Sequence, residues 1–271
     1  HTRIDPIELD GTTTLFLPAS VSRKAVPVYF TLSEKNAVVT ATGSRGSVAL
    51  KSGDTLDLTA LCEGTDDMIT LRARSGSMQA EKRVTFLRYD NVSTMFLVSD
   101  DPVNEGREWV ESSEDKSNRA KGSMALLAAD GESVYDGKLT QIKGRGNSTW
   151  KGAKRPYQIK LDKKTDLLQT GDSADKAKTW VLLANFYDPS AVRNMLALDL
   201  GRALQMECNM GYRPVCLFYD GEFRGLYLLT EKVEVNEGRV DVTDLEKANE
   251  MANPDVDDLT KLESKTGTTA N

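Results

Sequence analysis

The sequence predicts an α+β chain: an all-β sandwich over residues 1–90, then a mixed unit over 91–271 in which strands accompany one helix. Three observations carry this expectation. The 271 residues are length for about two domains. The first ninety read as short alternating strands broken by turns. A strong helix start, Asp188-Pro189-Ser190, stands among strands in the second part.

In Val26-Pro27-Val28-Tyr29-Phe30-Thr31-Leu32, the residues Val26, Val28, Phe30 and Leu32 fall on one face, the pattern of a half-buried strand. Similar pieces are predicted at 15–17, 37–41, 48–50, 56–61, 68–73 and 84–87. Turn signals such as Ser52-Gly53-Asp54 and Ser75-Gly76-Ser77 separate them. About seven strands at regular spacing predict an immunoglobulin-like sandwich. The Cys…Trp…Cys spacing of antibody domains is missing, because Cys62 stands alone in this half and the first Trp is Trp109. Nothing chemical converges here, and the half reads as a spacer or adhesive module.

Residues 89–93 are polar and read as the joint. A strand is expected at 94–98. The charged insert 100–121 follows as a surface loop or short exposed helix, and its Asp100-Asp101 pair reads as solvated rather than metal-binding. Strands at 123–129 and 138–143 flank a turn at Asp130-Gly131. Further strands at 156–161 and 180–184 lead to the helix, where Asp188 caps, Pro189 suits the first turn, and the end falls near Gln205. A hairpin of 213–219 and 223–230 turns at Asp220-Gly221. Beyond Glu246 the sequence is polar as far as Asn271.

Composition narrows the chemistry. A net charge of −6 argues against a broad nucleic-acid or anionic-membrane surface. No apolar run approaches the roughly 20 residues that span a bilayer. The one histidine is His1, which reads as a tag remnant, so Ser-His-Asp, Cys-His and multi-His metal chemistry are excluded. Cys62, Cys208 and Cys216 are scattered without a CxxC, which excludes zinc ribbons and redox dithiols. A Cys208–Cys216 bridge stays open.

The most informative stretch is Gly144-Arg145-Gly146-Asn147-Ser148-Thr149-Trp150-Lys151-Gly152, set between two expected strands. Backbone N–H groups at Gly144 and Gly146, with the Ser148 and Thr149 hydroxyls, can wrap phosphate oxygens. Arg145, Lys151, Lys154 and Arg155 supply countercharge. The segment does not fit the GxxxxGK[ST] loop, and on spacing alone a basic hairpin turn is the competing reading. In Pro156-Tyr157-Gln158-Ile159-Lys160-Leu161, Lys160 falls on the polar face of an apolar strand, where a phosphate-pairing lysine stands in a kinase N-lobe. On the expected helix, Met195, Leu196, Leu200 and Ala203 form an apolar stripe that includes Asp199. A carboxylate buried there needs a cation: Lys160 is one candidate, Arg193 or Arg202 on the same helix the others.

These residues, with Trp180-Val181-Leu182-Leu183-Ala184-Asn185, Arg193-Asn194 and the run from Gly225 to Glu234, closely resemble the signature of the CotH family, the spore coat protein H kinases. The resemblance covers about residues 92–245. It implies the N-lobe-like part of an atypical protein-kinase-like fold following the immunoglobulin-like sandwich, with the C-lobe missing. It also implies ATP and a divalent metal (Mg), with phosphorylation of Ser/Thr in coat or surface proteins outside the cell, at its surface or in a spore coat. By position, Gly144, Arg145, Gly146, Asn147, Ser148, Thr149 and Trp150, with Lys154, become the nucleotide-phosphate loop, Lys160 the phosphate-pairing lysine, and Glu231 to Glu234 the adenine hinge. Asp199 as the helix acid is an inference from helix phase. The family's catalytic and metal-binding aspartates lie downstream of the hinge, so none is assigned and they are expected beyond Asn271. Asp255, Asp257 and Asp258 read as a solvated segment, and the chain as an inactive N-terminal piece of a longer protein. The alternative is a non-catalytic surface or coat-assembly protein on the same fold. A weaker third is a glycan binder using Trp109, Trp150 and Tyr212.

Overall fold

A computed structural model of the chain describes residues 3–235 apart from 10, 65, 66, 172–175, 207 and 208, together with 240, 243 and 245. The first part contains β1 (Ile7–Leu9), β2 (Thr12–Leu17), β3 (Val26–Pro27), β4 (Val38–Thr42), β5 (Ser47–Leu50), β6 (Thr55–Leu56), α1 (Leu58–Leu61), β7 (Asp67–Ser75) and β8 (Met78–Arg88). Six strands form one sheet in the order β1-β2-β8-β7-β4-β5, while β3 and β6 pair alone. The β7–β8 hairpin turns where the sequence places Ser75-Gly76-Ser77, with Ser75 opposite Met78.

Two expectations fail locally, each for a physical reason. Residues 56–61 do not run on as a strand, because the Asp57 carboxylate accepts from Thr59 N and Ala60 N and starts the α1 turn. Residues 26–32 enter the ladder only at Val26 and Pro27, yet their alternation survives as burial. Val26 is buried, Val28, Phe30 and Leu32 pack against the same core, and Tyr29 faces solvent.

The second part contains β9 (Ser93–Ser99), α2 (Arg107–Ser112), β10 (Arg119–Leu127), β11 (Ser133–Gly144), β12 (Tyr157–Thr165), β13 (Ala177–Leu183), α3 (Arg193–Ala203), β14 (Tyr212–Tyr219) and β15 (Glu222–Glu231). Its seven strands close into a barrel in the order β10-β11-β12-β13-β15-β14-β9. Closure comes from β9, which pairs antiparallel with β10 on one side and parallel with β14 on the other. A strand paired on both sides leaves no sheet edge.

This closed, mostly-strand architecture overturns the α+β expectation. The second part is a barrel rather than a kinase-type lobe built on an open sheet. The first part is one six-stranded sheet with a two-strand ribbon rather than the two balanced layers of an immunoglobulin-like sandwich. The reason is non-local: periodicity reports which strands exist, while closure depends on pairing Ser93 with Val215.

The barrel interior is aromatic-rich, with Trp180, Tyr157, Tyr219 and Tyr227 almost wholly buried. The insert expected as a surface loop or short exposed helix carries α2, whose Val110 enters this core. Arg107 holds the helix in place through Glu111 at 2.9 Å and Glu222 at 2.7 Å. The hairpin β14–β15 turns as expected, Asp220 and Gly221 both taking positive φ (50° and 91°). On the outside, Phe96 stacks on Phe218, Phe218 meets Phe223 at a tilt, and Phe16 of the first part stacks on Phe223 with ring centres 4.0 Å apart.

Candidate functional site

The chain turns between β11 and β12 through the glycine-containing segment, and its geometry is set by Trp150. At Gly144 a side chain would run into the Trp150 ring, so only glycine fits where β11 ends. Gly146 has φ +79° and its carbonyl accepts from Lys116 Nζ at 2.8 Å. Residues Ser148–Lys151 form a 3-10 turn that delivers Trp150 to the core. There its indole N–H donates to Ser113 O at 2.9 Å, and the Arg155 guanidinium lies over the ring at 4.8 Å.

Against this turn lies a cavity of about 280 Å³ lined by Arg145, Thr149, Pro156, Leu183, Asn185 and the α3 residues Arg193 and Asn194. Asp188 shapes its far wall: the carboxylate accepts from Ser190 N and, at 2.8 Å, from Arg193 N, the first N–H of α3. The Ser190 hydroxyl, then the Arg193 N–H, hold this carboxyl below its usual range. The helix therefore begins at Arg193, later than Pro189, with Val192 rather than Asp188 at its N-cap position; Asp188 reaches the Arg193 N–H from outside the helix. Asn185, at φ 50°, accepts from Asn194 Nδ2 at 2.7 Å and ties the end of β13 to the helix.

Arg145 is the chemical centre of this wall. It is partly buried, burial lowers its pKa, and among the described residues its guanidinium has no acidic partner. A half-buried cation without a carboxylate is costly unless an anion completes it.

Side-chain alternation continues this wall along the barrel's outer face. Lys143 and Gln158 pair directly, as do Gln158 and Val181, one step behind Arg145, Pro156 and Leu183. Gln141, Lys160 and Thr179 form the next row. Lys160 is thus exposed on the same face as the cavity, four residues along from Pro156, or roughly 13 Å.

The other expected residues divide. Asn147 and Ser148 belong to the turn at the cavity's rim, and the Ser148 carbonyl accepts from Tyr187 OH at 3.3 Å. Lys154 is committed elsewhere: its Nζ donates to Leu226 O and sits 4.6 Å from the Tyr227 ring centre. Glu231 accepts from Gly211 N at 2.8 Å. Asp199 does not pair with Lys160; it takes the same-helix alternative, Arg202 at 3.0 Å, and accepts from Tyr212 OH at 2.8 Å. The stripe meant to bury it is exposed at Leu196, Leu200 and Ala203. Of the aromatic glycan candidates, Trp150 is buried, Tyr212 is bound to Asp199 and Trp109 is 44% exposed.

Asn185 and Asn194 belong to the cavity although sequence reasoning gave them no role, and Arg193 lines it although it was weighed only as a partner for Asp199; their occurrence in the family blocks was the available signal. Cys216 is a free buried thiol pushed up to about 11 by burial, while Cys208 and the acids at 255, 257 and 258 lie outside the described residues. Among the described residues no group of three or more His, Cys, Asp or Glu side chains converges on a metal position, and no helix is long and apolar enough to cross a membrane.

The family described as CotH kinase protein matches residues 142–268, beginning at the end of β11 and taking in the whole cavity. No curated protein matches the chain. Over the matched residues the chain is similar to the CotH family, which is associated with the spore coat.

Proposed function

We propose that this CotH-like chain binds a nucleotide through its phosphates at the cavity and the cationic face beside it. The activity it serves is then ATP- and Mg-dependent phosphorylation of Ser/Thr in coat or surface proteins. The observation that carries the reading is Arg145, a half-buried guanidinium in the cavity wall with no acidic partner among the described residues. Its planar fork suits bidentate contact with phosphate oxygens. Thr149 adds a hydroxyl on the same wall, and Lys160 a point charge further along the face.

The cavity, at about 280 Å³, lies at the small end of ligand pockets and suits part of a nucleotide, the remainder lying along the open face. ATP would supply the transferable phosphoryl group. The described residues fit the phosphates but not the metal, since Asp188, the acid at the cavity, already accepts from the first N–H of α3.

Titration calorimetry with ATP and Mg²⁺ tests the reading. Lys160→Ala should weaken binding by about 1.5–3 kcal/mol, the loss typical of a charge-assisted contact, and Arg145→Gln by at least as much. Unchanged affinity in both variants would overturn the nucleotide site and favour a coat-assembly role without catalysis.

A further inference from the structure

Opposite charges facing each other across neighbouring strands stabilise a sheet, and like charges directly opposite destabilise it. On the barrel's outer face Arg119 lies directly opposite Lys143. Lys143 is partly desolvated, and the charges of Arg119, Lys232 and Lys116 add to this, which together lower its pKa. Lys232 has Glu234 for a partner, and Lys116 donates to the Gly146 carbonyl. Arg119 donates to Ser117 O. Among the described residues Lys143 has neither a hydrogen-bond partner nor an acid. A protein of net charge −6 thus brings Arg119, Lys232 and Lys116 within electrostatic reach of Lys143. This cluster adjoins the cavity, because Lys143 is two residues from Arg145 on one strand face.

We infer that Lys143, flanked by Arg119 and Lys232, is a further anion-binding group that makes this site select polyphosphate chains over a single phosphate. The inference rests on the nucleotide reading for its ligand but on different residues, none of them in the glycine-containing turn or at Lys160. A lone phosphate is satisfied by Arg145 and the turn. A second and third phosphate extending along the outer face meet Lys143 and its neighbours, where each added negative charge offsets a repulsion already present in the ligand-free fold. The site should then prefer the triphosphate over the diphosphate and the diphosphate over the monophosphate, and the preference should weaken with salt as screening grows.

The test is titration of the full chain with ATP, AMP and inorganic tripolyphosphate, for the native protein, Lys143→Gln and Lys143→Arg. Lys143→Gln should weaken ATP and tripolyphosphate by about tenfold or more while AMP changes little, and Lys143→Arg should restore both. Lys143→Gln also relieves like-charge contact, so its melting temperature should not fall; if it does, Lys232→Gln, at the exposed rim, replaces it with the same expected selectivity. ATP affinity left unchanged by both substitutions would overturn the role of this cluster while leaving the nucleotide reading in place. Lys143-dependent tripolyphosphate binding with ATP no tighter than tripolyphosphate would overturn the nucleotide reading and leave the cluster standing. Absence of binding by either ligand would overturn both.

Discussion

The β7–β8 ribbon of the first part and the β10–β11 ribbon of the barrel are long antiparallel pairs with opposite charge logic. In β7–β8, Arg72 faces Glu81 directly and the two form an ion pair on an exposed surface. In β10–β11, Arg119 faces Lys143, and neither has an acidic partner among the described residues. The first arrangement is self-sufficient; the second is a sheet surface short of anions. The interiors differ in the same sense. The six-stranded sheet rests on small aliphatics such as Val39, Ala41, Ile69 and Val84, whereas the barrel is filled by Trp150, Trp180 and four tyrosines. A barrel has no edges to protect, and a large aromatic core supports an outer face that departs from neutral pairing. The contrast lies in the pair itself: Arg72 meets an acid across the strands, whereas Arg119 meets a second cation.

The strongest way to break that comparison is to remove the support. Trp180→Ala should cost about 3–5 kcal/mol, the range for truncating a large buried aromatic, because Trp180 is fully buried. All three tryptophans, 109, 150 and 180, belong to the barrel half, so fluorescence from Trp109 and Trp150 follows that half alone during heating. The barrel transition should fall while a far-ultraviolet signal retains a component from the sheet. One common transition would mean that the Phe16–Phe223 stack couples the halves into a single unit.

A smaller effect compares two aspartates at helix starts. Asp57 caps α1, Asp188 accepts from the first N–H of α3, and both carboxyls are held below their usual range, mainly by hydrogen bonds from the Thr59 and Ser190 hydroxyls respectively. The sign is the same for both. Their stabilising contribution is present above the unfolded carboxylate range and is lost as pH falls through the lowered native values. Asp57→Ala and Asp188→Ala should each weaken stability by far less than Trp180→Ala and flatten the acid limb of a melting-temperature profile. Only Asp188→Ala should also weaken ATP binding, since Asp188 positions Arg193 and Asn194 at the cavity. Equal loss of binding in both variants would mean that the cavity responds to global stability rather than to its own wall.

What the sequence made legible follows the range of the forces involved. The hairpin at Asp220-Gly221 was readable because two positive-φ positions are a local demand. The turn at 144–152 was readable because glycine, hydroxyl and cation occur together, and the structure adds the reason for Gly144, the close approach of the Trp150 ring. Barrel closure was not readable, since β9 has only a short apolar run, Met95–Val98, and such a run does not announce a parallel partner more than a hundred residues away. The α3 stripe misled for a related reason: Leu196 and Leu200 do share a face, but periodicity cannot tell what covers that face, and Asp199 turned to Arg202 and Tyr212. The cavity wall at Asn185 and Asn194 joins two elements through side-chain amides, which carry no period at all.

The smallest effect is also the sharpest, because the comparison demands opposite signs from two charge changes. Glu81→Lys places a lysine opposite Arg72 and should destabilise the first part by about 0.2–1 kcal/mol, the range for a cross-strand pair. Arg119→Glu places a carboxylate opposite Lys143 and should stabilise the barrel by a similar amount. Urea unfolding resolves such differences as shifts of midpoint at constant slope. The stabilised variant should bind tripolyphosphate more weakly, since its new carboxylate pairs with Lys143 and repels the proposed anion. Loss of stability in both variants would mean that Arg119 is held by its Ser117 contact and that the like-charge pair carries no repulsion for a ligand to relieve. A gain in stability with undiminished tripolyphosphate affinity would separate the electrostatics of the fold from those of the site. The contrast between the two ribbons would then be one of packing alone.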